Sequence, residues 1–247
     1  MVGKLLVRGM LAGIAAGLLT FAFAKFAGEP QVNQAIAFEE KVDAAKGEAP
    51  EPELVSREVQ ASYGLFTGVM VYGASIGGLF ALVYAYARGR TGTLSARALS
   101  AWIALAAFVA IALVPNIKYP ANPPSIGDPE TIGYRTGLFF LTIAISIAVT
   151  VFSLKVRAAL AAKWGGWNAS IAALVLFVVV IGVIQAALPT INEVPGAFPA
   201  ALLWKFRTVA IGMQAILWSV IGLAFGALVE RLERANLRRG TLAARGA

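Results

Sequence analysis

Cysteine and histidine are both absent from the 247 residues. That excludes disulfides, thiolate nucleophiles, imidazole general bases, haem ligation by histidine and the common zinc sites. A Ser/His or Cys/His catalytic pair cannot be written on such a chain. A phosphate-binding loop of the GxxxxGK[ST] kind is missing too. Charge is scarce: 14% of residues are charged and 59% hydrophobic, a balance unlike that of a soluble domain. The only groups left for acid/base work are carboxylates in polar loops, so the chain is not expected to be an enzyme.

What is present is a series of long, charge-poor apolar runs. They fall near residues 5–24, 62–87, 98–117, 136–154, 167–188 and 208–229, each long enough to cross about 30 Å of hydrocarbon as a helix. A backbone in lipid must satisfy its own hydrogen bonds, and no barrel-type alternation is visible. The expected fold is therefore all-α, a polytopic integral membrane bundle of six transmembrane helices forming one transmembrane domain over 1–247. The first run also resembles a signal peptide, with Lys4 and Arg8 at its start and Ala22-Phe23-Ala24 at its end; cleavage there would leave five helices. Retention is the expectation, because Gly9, Gly13 and Gly17 form a small-residue stripe of the kind that packs helices in lipid. The same spacing recurs at Gly64/Gly68, Gly73/Gly77 and Gly222/Gly226. Tight packing is the plain reading, and a backbone-lined conduit the sharper one.

A net charge of +8 would suit a nucleic-acid binder, but its placement argues for topology instead. The side holding both termini, including the basic tail 230–247, carries 13 of the 21 Lys and Arg and 2 of the 13 acids. The positive-inside rule then puts both termini in the cytoplasm, and nucleic acid is not an expected partner. The other side carries the acidic loop 28–60, the Pro-rich loop 118–135 and the loop 189–207. In the first, Pro30 reads as the first helical position and Gly47 as the end of a short helix, with Val32, Ile36 and Val42 facing the headgroups. Pro50 and Pro52 then break the chain. The second and third loops share a weak parallel repeat, leaving the membrane at Val114-Pro115 and Leu188-Pro189 and re-entering at Arg135-Thr136 and Arg207-Thr208.

No ionisable side chain falls inside the six runs away from their ends. The deepest polar groups are Gln185 and Gln214, read either as interhelical glue or as part of a permeation path. The outer acids include Glu29, Glu39, Glu40, Asp128, Glu130 and Glu193. Solvation of exposed loops explains them, and so does an anionic mouth that concentrates cations. Lys118, Arg135, Lys205 and Arg207 are expected to anchor the loops to headgroups or to pair with those acids. Pro120, Pro123, Pro124 and Pro129 stiffen the second loop beyond what a tether needs.

The stretches GEPQVNQAIAFEE (28–40), PELVSREVQ (52–60), VPNIKYPANPPSIGDPETIGYRTG (114–137) and EVPGAFPAALLWKFR (193–207) resemble those of the probable cobalt transporter subunit CbtA family. The block KYPANPP…GDP…GYRTG is the most specific. The resemblance implies a multi-pass protein of the bacterial inner membrane, linked to cobalt uptake for cobalamin biosynthesis. It also implies a small CbtB-like partner with a histidine-rich end, cobalt(II) as cargo and no tightly bound cofactor. Members are described with five spans, against the six counted here. The alternative role is a non-transporting scaffold or assembly factor that docks a periplasmic protein. Oligomeric state is not readable.

Overall fold

Lipid offers the backbone no hydrogen-bonding partner, so a chain with these apolar runs has helices as its economical solution. The computed structural model describes residues 2–47 and 54–245, with side chains to 235. Among the described residues there is no strand. Pro50 and Pro52, invoked above, lie outside them with Glu48, Glu51 and Glu53 of the same acidic loop, as do the side chains of Arg238, Arg239 and Arg245 in the basic tail.

Among the described residues five helices are long and apolar enough to cross a bilayer. They are α1 (Val2–Lys46), α2 (Arg57–Ala87), α3 (Ala96–Lys118), α4 (Ile132–Ala187) and α5 (Ala200–Arg245). Helix α4 is a hairpin, since its helical path breaks at Gly165, with φ +74° and ψ 160°, a region open to glycine and almost nothing else. Val149 and Ile181 share one buried cluster with Val114, whereas 32 residues of straight helix would hold them about 48 Å apart. The runs near 136–154 and 167–188 are its two arms.

The first helix departs from the sequence reading. Pro30 does not start a new helix; it sits inside α1, which runs on from the apolar segment to Lys46. A π turn at Ala24–Gly28 precedes it. Proline has no N–H to give the preceding turn and its ring crowds that turn's carbonyl, and a widened turn is a common way to absorb such a fault. The end near Gly47 is as expected, with Gly47 at φ +77°.

The chain forms two compact units. The first comprises residues 1–30, 46–105 and 212–247. Within it α1 and α2 cross antiparallel on glycine: a Cβ on Gly13 would stand 2.0 Å from the Gly73 carbonyl oxygen, and one on Gly77 2.1 Å from that of Gly9. Gly222 and Gly226 of α5 take the same part against α3, where Ser100 Oγ donates to the Gly222 carbonyl at 2.6 Å. Phe225 meets Phe80 and Tyr84 edge to face. At one end Arg88 pairs with Glu233 and Arg97 with Glu230, both at 2.5 Å. The stripe at Gly64 and Gly68 behaves otherwise, because a Cβ at Gly68 meets nothing within 4 Å and one at Gly64 meets only its own helix. That spacing marks no close helix approach.

The second unit comprises residues 31–45 and 106–211. The later part of α1 turns Ala35 and Phe38 inward, against Ile126, Val194, Phe198 and Leu202. Val32, Ile36 and Val42, expected to form the apolar face, are only half-buried. A small residue decides the packing, since Ala35 is fully buried and lets the helix settle onto the loops. The Phe38 and Phe198 rings meet at 5.0 Å and 71°, worth about 1 kcal/mol beyond the area they bury.

Candidate functional site

The polar loops of the second unit converge on Glu193. After α3 the chain is braced by Asn116, whose Nδ2 donates to the Ala112 carbonyl and whose Oδ1 accepts from the Ala121 N–H. It then makes a tight bend, with Ser125 at φ +70° and Gly127 at φ +117°. Its φ calls for the glycine, and a Cβ there would sit 2.1 Å from Arg135 Nη1 and push the guanidinium aside. Asp128 caps the short 3₁₀ turn Pro129–Thr131: its Oδ1 accepts from the Glu130 N–H at 2.9 Å.

Onto this frame the loop after α4 delivers Glu193. Its Oε2 accepts from the Asp128 N–H at 2.8 Å and lies 3.2 Å from Arg135 Nε. Its Oε1 accepts from Thr131 Oγ1 at 2.7 Å. Arg135 completes the ring by donating from Nη2 to the Asp128 carbonyl at 3.0 Å. The bonds from Asp128 and Thr131 and the nearby Arg135 charge favour the carboxylate over the acid. Glu193 accordingly titrates below the ordinary glutamate value, chiefly through the Thr131 hydroxyl and the Asp128 N–H, with the Arg135 charge adding to them.

The other loop cations act nearby. Lys118 Nζ donates to Thr190 Oγ1 at 3.2 Å, and Arg207 donates to Asn122 Oδ1 at 2.8 Å. Tyr119, which the sequence did not single out, donates its hydroxyl to the Pro189 carbonyl at 2.9 Å. Arg135 and Arg207 thus both fold onto the 121–128 loop. The two loops are not equivalent, whatever repeat their boundaries suggest.

The remaining candidates are scattered. Glu29 is paired with Arg57 in the first unit. Glu39 is half-buried and already engaged, while Glu40 and Glu130 are exposed; Lys205 is exposed as well. Among the described residues no three His, Cys, Asp or Glu side chains gather closely enough to hold a metal. Gln185 Nε2 donates to the Val114 carbonyl at 2.8 Å, a hydrogen bond between α4 and α3. Gln214 differs: its buried Oε1 has no protein partner, and neither has Trp218 Nε1 one turn further along α5. Thr131 and Tyr119 were missed because a hydroxyl in a loop carries no sequence signal until its partner, 62 and 70 residues away respectively, is known.

Helices of this length and apolarity define a multi-pass helical membrane protein. Over residues 2–230 the chain matches the family described as a probable cobalt transporter subunit, CbtA, and it belongs to that family. No curated protein and no solved structure matches it.

Proposed function

We propose that the chain is the membrane subunit of an uptake system for cobalt(II) in the bacterial inner membrane, feeding cobalamin biosynthesis. The observation that carries this reading is the family match over nearly the whole length. In it the chain crosses six times, the α4 hairpin counting twice, with both termini cytoplasmic and the Glu193 loops outside. The outer acids, Glu40 and Glu130 among them, raise the local cation concentration. Selectivity comes from elsewhere. Carboxylate oxygens suit Mg²⁺, Ca²⁺ and Mn²⁺ at least as well as cobalt, which favours imidazole, and this chain has no histidine. A small histidine-rich membrane subunit supplies that preference.

One observation favours the scaffold reading: Glu29 and Glu193 are already held by protein partners, as in a surface built to keep its shape for a docking protein. Uptake of radioactive cobalt separates the two. Vesicles carrying this chain with the histidine-rich subunit should show saturable uptake, at least tenfold above vesicles carrying either alone. Uptake by the partner alone equal to that of the pair would refute the transport role and leave the scaffold.

A further inference from the structure

Carboxylates meet some of the basic side chains of this protein and not others. In the first unit Arg88, Arg97 and Arg234 are matched by carboxylates of α5. Around the α4 turn they are not. From Thr131 to Asn192 the sequence contains no acid, and no carboxylate among the described residues pairs with Lys155, Arg157 or Lys163. Those three are exposed, and Trp164 and Trp167 beside them are 53% and 77% exposed.

The turn is nevertheless built rather than loose. Arg157 Nε donates to Ser170 Oγ at 2.8 Å, and that hydroxyl donates to the Gly166 carbonyl at 2.7 Å. The chain of bonds ties one arm to the other across Gly165 and holds the guanidinium over the turn. Two exposed indoles are costly in water, and the three cations beside them, well hydrated there, gain further from an anionic surface. They suit the boundary where phosphate meets acyl chain, with indole rings at headgroup level and each basic group worth roughly fivefold in binding near an anionic surface.

We infer that the α4 turn, Lys155 to Ser170, is a docking site for an anionic phospholipid headgroup. Lys155, Arg157 and Lys163 take the phosphate, and Trp164 and Trp167 lie against the glycerol and upper acyl carbons. A zwitterionic headgroup brings its own ammonium into this positive field and binds less well. Free phosphate reaches the cations but gains nothing from the indoles.

The test uses the full chain in detergent micelles, with lipid retention read by native mass spectrometry and melting read in parallel. Phosphatidylglycerol should be retained at least tenfold better than phosphatidylcholine and should raise the melting temperature, while inorganic phosphate at the same concentration should not. The double variant K155Q/K163Q, which spares the Arg157 bond, should lose phosphatidylglycerol retention about 25-fold with its melting in phosphatidylcholine unchanged. W164L/W167L should weaken both lipids and keep the preference between them. Equal retention of the two lipids, an equal shift with phosphate, or an equal loss in the control R8Q/R90Q/R231Q would overturn the site. The last would reduce the effect to net charge.

Discussion

Gly13→Ala should destabilise the protein by about 2 kcal/mol, roughly a 30-fold shift in the unfolding equilibrium. Gly68→Ala, the same chemical change on the partner helix, should be neutral or stabilising. The added methyl at Gly13 would stand 2.0 Å from the Gly73 carbonyl oxygen and 2.7 Å from its carbon. Backbone cannot step aside as a side chain can, so α1 and α2 must part. Overpacking of that kind costs about 1–3 kcal/mol or more, against which the better helix propensity of alanine returns about 1 kcal/mol. At Gly68 nothing lies within 4 Å and only the propensity gain remains. Gly13→Leu should leave no folded protein in the membrane. Unfolding in mixed micelles measures the pair, and equal stability of the two alanine variants would show that the crossing does not rest on these glycines.

Glu193→Ala should release the loops it joins, so that protease cleavage between residues 119 and 131 becomes at least tenfold faster at neutral pH. It removes an acceptor from the Asp128 N–H and the Thr131 hydroxyl together and leaves Arg135 without its carboxylate. The same release should appear in the unaltered protein on acidification. Because the folded carboxyl titrates below its ordinary value of 4.5, the unfolded state binds the proton more readily. The latch contributes fully above that value, and its contribution is lost as pH falls through the lower folded value. Cleavage with a non-aspartic, acid-tolerant protease should therefore accelerate below pH 4.5 in the natural chain and show no such step in Glu193→Ala. Equal rates for the two chains at pH 7 would count against the latch.

Much of the fold was legible because lipid imposes strict terms on a backbone. The apolar runs marked the helices, and the four-residue glycine spacing at 9, 13 and 17 and at 73 and 77 marked a crossing. Spacing alone could not tell which stripe is used: Gly64 and Gly68 carry the same pattern and touch no other helix. The passage of α1 through Pro30 was hidden because proline and polar composition are signals for a helix start. A π turn absorbs the proline, and Ala35 and Phe38 find cover in loops and a helix start more than 80 residues away. The site divides in the same manner. The acids and prolines of the loops were visible as composition, and their stiffness was expected. That Glu193 would be the acid closing the ring, with Thr131 and Arg135 as its partners, depends on contacts across 58 to 65 residues that no local pattern records.

The central claim is that the acid-rich, proline-braced loops face outward and the basic turns face the cytosol. A chain without cysteine allows one measurement to test it, the labelling of Glu130→Cys and Lys163→Cys by a membrane-impermeant thiol reagent in intact and lysed spheroplasts. The account predicts that the cysteine at 130 reacts in intact spheroplasts and the one at 163 only after lysis. The reverse pattern, or both reacting from outside, would contradict it.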